Sequence, residues 1–76
     1  MSPQLPILKP SNVINALCRA GYYIHHQTGS HIQLKHCQKT WLRVTIPFHH
    51  GDLSKPVIRS IIRQAELTVQ EFLDLL

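Results

Sequence analysis

The stretch Gln27-Thr28-Gly29-Ser30-His31-Ile32-Gln33-Leu34-Lys35 sets a histidine directly after a small-residue turn and at the head of an alternating run. Imidazole is the side chain best suited to carry a proton near neutral pH. One reaction needs little more than that. RNA brings its own nucleophile, the 2′-hydroxyl, so a protein has only to take the hydroxyl proton, return one to the leaving 5′-oxygen and stabilise the crowded phosphorane. Lys and Arg serve the last purpose. His31 with Gln33, Lys35 and Arg43 forms such a set without a metal. A lone exposed histidine is more often simply a polar residue, and on this pattern alone both readings stand.

Two other chemistries fit less well. His36-Cys37 and His49-His50 offer zinc-ligand types. However, adjacent residues of a strand project to opposite faces, and the chain has neither a Cys-x-x-Cys nor a His-Glu-x-x-His frame, so no structural metal or cofactor is expected. A Ser-His-Asp hydrolase is disfavoured because Ser30 is the immediate neighbour of His31 and the acids Asp52 and Glu66 are remote in sequence.

The totals narrow the field. At 76 residues there is room for one core, and a chain of this size buries only about 60% of the surface it exposes when unfolded. Eight Lys and Arg against four Asp and Glu give a net charge of +4, which favours a polyanionic partner. Two cysteines, Cys18 and Cys37, are too few for a disulfide scaffold; Cys18 is expected to be a small core residue. Met1-Ser-Pro-Gln-Leu-Pro has no basic segment leading into an apolar one, and no apolar run approaches membrane-spanning length. The expected compartment is the cytoplasm, with no membrane association.

These residues need a frame to hold them. Pro3, Pro6 and Pro10 mark residues 1–10 as an extended arm, leaving a single domain over residues 11–76. Ser11 reads as an N-cap, followed by the stripe Val13, Ile14, Leu17 and Cys18 and by Gly21 as a left-handed helix end. Three strands follow: 22–27, 31–36 and 40–48, the first two joined through Thr28-Gly29-Ser30. Ser54 caps a second helix with Pro56 in its first turn, and Thr68-Val-Gln-Glu71 is a capping box opening a short third helix. The expected fold is α+β: a two-layer sandwich in α-β-β-β-α(-α) order, with a three-stranded antiparallel sheet covered by helices on one face.

Alternation then assigns the faces. With Ile24, Ile32, Leu34, Leu42, Val44 and Ile46 toward the helices, the open face carries Tyr23, His25, Gln27, His31, Gln33, Lys35, Trp41, Arg43 and Thr45, and no acid. Rings interleaved with cations suit RNA, whose bases stack and whose phosphates meet Lys and Arg.

The blocks Gly21-Tyr22, Gly29-Ser30-His31, Pro47-Phe48-His49, Ile58-Arg59-Ser60-Ile61 and Gln64-Ala65, in this order and spacing, resemble the HicA family, the toxin component of bacterial HicA–HicB toxin–antitoxin pairs. The resemblance spans Ser11 to about Leu73. It implies a double-stranded-RNA-binding-domain-like fold and a metal-independent mRNA interferase with His31 as the catalytic residue. It also implies a HicB-like antitoxin that covers the active surface and itself binds operator DNA, so that no direct DNA binding is expected of this chain. RNA contacts are expected from Gly29, Ser30, Gln33, Lys35, Trp41 and Arg43. His49 and His50 are the candidates for a second proton carrier, beside Lys35 and Arg43. The sequence departs from the family pattern at Pro56 and at Glu66, where a glycine is usual; Glu66 is expected to take a left-handed conformation. The competing reading is a non-catalytic RNA- or protein-binding module on the same fold.

Overall fold

In the computed structural model, which describes residues 5–76, the elements are α1 (Pro10–Arg19), β1 (Tyr22–Thr28), β2 (His31–His36), β3 (Arg43–Pro47), α2 (Lys55–Gln64) and α3 (Val69–Asp74). The strands form one antiparallel sheet in the order β1-β2-β3. The helices flank one face of it, as the periodicity predicted. Among the described residues, no helix is long and apolar enough to cross a membrane.

Helix α1 starts earlier than its sequence suggests. Lys9, not Ser11, is the N-cap; Pro10 takes the first helical position, where its missing N–H costs nothing. The Lys9 N–H is satisfied by Asn12 Oδ1 at 3.1 Å. The buried face of α1 centres on Val13, Ala16 and Leu17, all fully buried, and Cys18 is exposed rather than in the core. Of the arm residues, Pro3 lies outside the described part; Leu5 and Leu8 are buried, and Leu8 pairs with Leu53 through the Leu53 N–H (2.8 Å).

The sheet's buried face is Tyr22, Ile32, Leu34, Val44 and Ile46, packed on α1 and α2 together with Ile58, Ile61, Ile62 and Phe72. Two assignments of strand faces fail. A β-bulge between Ile24 and His26 inserts one extra residue into β1, so that Ile24 pairs with Leu34 yet is 52% exposed, and His26 rather than His25 pairs with Gln33. From there on the phase is inverted: Gln27 pairs with buried Ile32, and Thr28 pairs with His31. The third strand is also shorter than predicted. Trp41 lies before it, in the β2–β3 connection, and Phe48 after it is 44% exposed.

Both later caps form as predicted: Ser54 Oγ accepts from the Val57 N–H, and Thr68 and Glu71 each accept the other's backbone N–H (3.1 and 2.8 Å). Those bonds, the backbone N–H of Thr68 first, hold the Glu71 carboxyl below its ordinary range. Glu66 has φ +56, a conformation that an L-residue with a Cβ adopts at a cost of about 1 kcal/mol. Glu66→Gly is therefore expected to raise the melting temperature by about 4–8 °C, read by circular dichroism; an unchanged or lower midpoint contradicts the strain.

Tyr22 is buried, with its hydroxyl donating to the Ala65 carbonyl at 3.0 Å. Burial, and secondarily the Glu66 carboxylate, push the phenol above its ordinary value of 10.0. A raised folded-state value means the native protein holds this proton more tightly than the unfolded chain. Its contribution to stability is complete below pH 10.0 and is lost as pH rises through the folded-state value. The urea midpoint should fall between pH 9 and 11 in the wild type and fall less steeply in Tyr22→Phe. Equal slopes would show that the phenol is not responsible.

Candidate functional site

The β1–β2 hairpin closes on the Thr28–His31 pair through the two residues Gly29 and Ser30. Only Gly29, at φ +54, has a positive φ in this loop, as a tight hairpin with glycine at its first central position requires. A Cβ on Gly29 would meet nothing within 4 Å, so the position is open to an approaching ligand. Ser30 is anchored by its carbonyl, which accepts the Phe48 N–H at 2.6 Å, and its Oγ lies 3.4 Å from His31 Nδ1. Among the described residues this is the one hydrogen bond that reaches the ring. His31 itself is exposed, at the first position of β2, opposite Pro47.

The register arranges the open face in three rows: Thr28–His31–Pro47, His26–Gln33–Thr45 and Tyr23–Lys35–Arg43. No acid lies on these rows. The structure thus keeps Gln33 in the row next to His31, and Lys35 and Arg43 on the same face but two rows away. Lys35 is four strand positions away, about 13 Å along the backbone, and Arg43 lies opposite it on β3. Trp41, 69% exposed, precedes Arg43 by two residues in the β2–β3 connection. His25 and Gln27 are displaced from the face by the bulge.

His49 and His50 belong to a different cleft, of about 160 Å³, shared with Lys9, Pro10 and Ser11 at the start of α1. His49 Nδ1–H donates to the His50 carbonyl at 3.0 Å, which fixes that ring and frees its Nε2. His49 follows Pro47, the partner of His31, by two residues.

His31 opens onto a cleft of about 290 Å³ whose other side is α2. Thr45 and Pro47 of β3 line one wall; Val57, Ser60, Ile61 and Gln64 of α2 line the other. Gln64 joins the two, its Oε1 accepting the Thr45 N–H at 2.9 Å, so the exposed edge of β3 is covered by a side chain at that point. Sequence reasoning missed α2 here altogether. The available signal was the polar pair Ser60 and Gln64, spaced i, i+4 beside an otherwise apolar stripe.

His36 has a structural part. Its Nε2–H donates to the Ala20 carbonyl (2.9 Å), its Nδ1 accepts the N–H groups of Gln38 and Lys39 (3.1 and 3.0 Å), and its ring meets the Tyr22 ring edge-on at 5.0 Å. Both nitrogens are thereby occupied. Among the described residues, no three His, Cys, Asp or Glu side chains gather as a metal site would need.

Compared with known proteins, residues 10–67 match the family model described as HicA toxin of bacterial toxin–antitoxin systems. No curated protein matches the chain.

Proposed function

Because the chain belongs to the HicA toxin family, we propose that it is the toxin half of a type II toxin–antitoxin pair and cleaves mRNA in the cytoplasm without a metal ion, with His31 as general acid/base. In this reading His31 Nε2 takes the proton of the 2′-hydroxyl as the 2′-oxygen attacks phosphorus. The P–O5′ bond breaks, and the departing oxygen takes a proton from a second group, for which His49 is the first candidate. The products are a 2′,3′-cyclic phosphate and a 5′-hydroxyl. Ser30 positions the His31 ring, and the Gly29 backbone leaves room for the phosphate. Gln33, Lys35, Arg43 and Trp41 hold the flanking strand by hydrogen bonds, charge and stacking. A HicB-like antitoxin neutralises the toxin by covering this face.

The observation that carries the reading is the placement of His31, its Nδ1 3.4 Å from Ser30 Oγ, at the mouth of a cleft on an acid-free sheet face. The test is cleavage by the purified chain, in EDTA, of an RNA oligonucleotide and of its all-2′-deoxy counterpart. RNA cut to cyclic-phosphate ends, with the deoxy strand intact, is the expected result. A folded protein that binds both strands and cuts neither is a binding module, and the proposal falls.

A further inference from the structure

Cleavage that starts at His31 needs a second group to protonate the departing 5′-oxygen. In an in-line displacement the entering and leaving oxygens stand on opposite sides of phosphorus, so base and acid must approach one phosphate from opposite sides. His49, the candidate that sequence order puts first, shares no cleft with His31. His31 lines the cleft between β3 and α2, and His49 lines the one at the start of α1.

The sheet register offers another imidazole, and the bulge in β1 decides which. Counting on from the Ile24–Leu34 pair, a regular strand would set His25 opposite Gln33; the extra residue sets His26 there instead. Two positions further on, Thr28 pairs with His31. His26, Thr28, His31 and Gln33 are therefore the four corners of one square on the open face, with the two histidines on a diagonal. Diagonal neighbours on antiparallel strands lie about 7–8 Å apart, within reach of ring side chains, so both imidazoles can contact one phosphate from opposite sides. The other diagonal, Thr28 and Gln33, carries a hydroxyl and an amide, which are donors for the non-bridging oxygens where charge grows. All four residues are exposed. On the three rows, His26 is the one proton carrier within a row of His31; Tyr23, Lys35 and Arg43 lie two rows away.

We propose that His26 is the general acid that works with His31. His31 Nε2 takes the 2′-hydroxyl proton as the 2′-oxygen bonds to phosphorus. The P–O5′ bond breaks, its electron pair stays with the 5′-oxygen, and that oxygen takes a proton from the His26 imidazolium. His31 ends protonated and His26 neutral, and exchange of one proton with water at each ring restores the starting state. The proposal rests on the ribonuclease reading above and assigns its second proton to His26 in place of His49.

A leaving group that needs no proton isolates this role. The substrates are an RNA oligonucleotide and the same strand with sulfur replacing the 5′-oxygen at the linkage that the wild-type chain cuts. His26→Ala, His25→Ala and His31→Ala are compared with the wild type, each checked for folding by circular dichroism. His26→Ala is expected to cut the all-oxygen strand about 10²- to 10⁴-fold more slowly than the wild type, yet to cut the sulfur strand within a few-fold of the wild-type rate, because a thiolate departs unprotonated. His31→Ala should be slow on both strands, and His25→Ala should match the wild type on both. Wild-type cleavage of the all-oxygen strand by His26→Ala, an equal loss on the two strands, or the same loss in His25→Ala overturns the assignment. The two ideas fail separately. A wild-type chain that cuts no RNA sinks the ribonuclease reading and the acid with it; a cutting wild type matched by His26→Ala sinks the acid alone.

Discussion

His31→Ala is expected to lower RNA cleavage by about 10²- to 10⁴-fold, the range that a positioned general acid or base contributes, and to leave the fold intact. The side chain is exposed, and among the described residues its one side-chain hydrogen bond is the 3.4 Å approach of Ser30, so the change in stability should stay within about 0.5 kcal/mol. The neighbouring variants should behave differently. On the proposed reading Lys35 and Arg43 meet a phosphate about 13 Å from His31 along the strand, so Lys35→Ala and Arg43→Ala should weaken RNA binding several-fold and flatten its salt dependence by about one charge each. His49→Ala should match His31→Ala in kcat if it supplies the second proton, and His50→Ala should not. In cells, expression of the wild-type chain should arrest growth and expression of His31→Ala should not. A folded His31→Ala protein that cleaves at the wild-type rate would falsify the assignment outright.

The second large effect is on stability, at the corner where α1 meets β1. Gly21 has φ +100, and a Cβ built there would stand 2.8 Å from His36 Nε2. Gly21→Ala therefore combines backbone strain of about 1–2 kcal/mol with displacement of the ring that ties three backbone groups, those of Ala20, Gln38 and Lys39. At roughly 1 kcal/mol for each hydrogen bond, His36→Ala alone should cost about 2–3 kcal/mol, a large share of the total stability of a domain this small. The pair distinguishes clash from strain. In a His36→Ala background the Gly21→Ala change meets no ring, so its penalty should shrink to the backbone part, and the double-mutant cycle should show a coupling of about 1 kcal/mol or more. Additive penalties in urea titrations would mean that the ring does not feel the Cβ.

How much of this could be read from the sequence depended on how local the cause was. Thr68 and Glu71 satisfy each other within one turn, and Ser54 caps its own helix; such features are written in the residues that form them, and they were legible. So was Gly21, whose positive φ follows from its place after a helix. Pro10 displaced the predicted cap to Lys9 because its fixed φ suits the first helical turn, a preference that competes with that of Ser11. The bulge at His25 was not legible. Nothing in Tyr-Ile-His-His-Gln distinguishes an extra residue from a regular strand, and one extra residue inverts every face assignment after it. For the site, His31 and its turn were visible as a motif, whereas the cleft was not. It depends on α2 crossing the edge of β3 and on a glutamine reaching a strand N–H, contacts between residues that the sequence keeps well apart.

Lys35 and Arg43 stand directly opposite each other on neighbouring strands, an arrangement of like charges that destabilises a sheet. The free protein carries that repulsion with no compensating acid on the same face. Whatever anion settles between the two side chains, an RNA phosphate or carboxylates of an antitoxin, relieves it, and the gain appears as added resistance to unfolding. The feature that makes the surface attractive to a partner thus makes the unpartnered chain the shorter-lived species wherever proteases sample its openings, so that occupancy and lifetime rise and fall together.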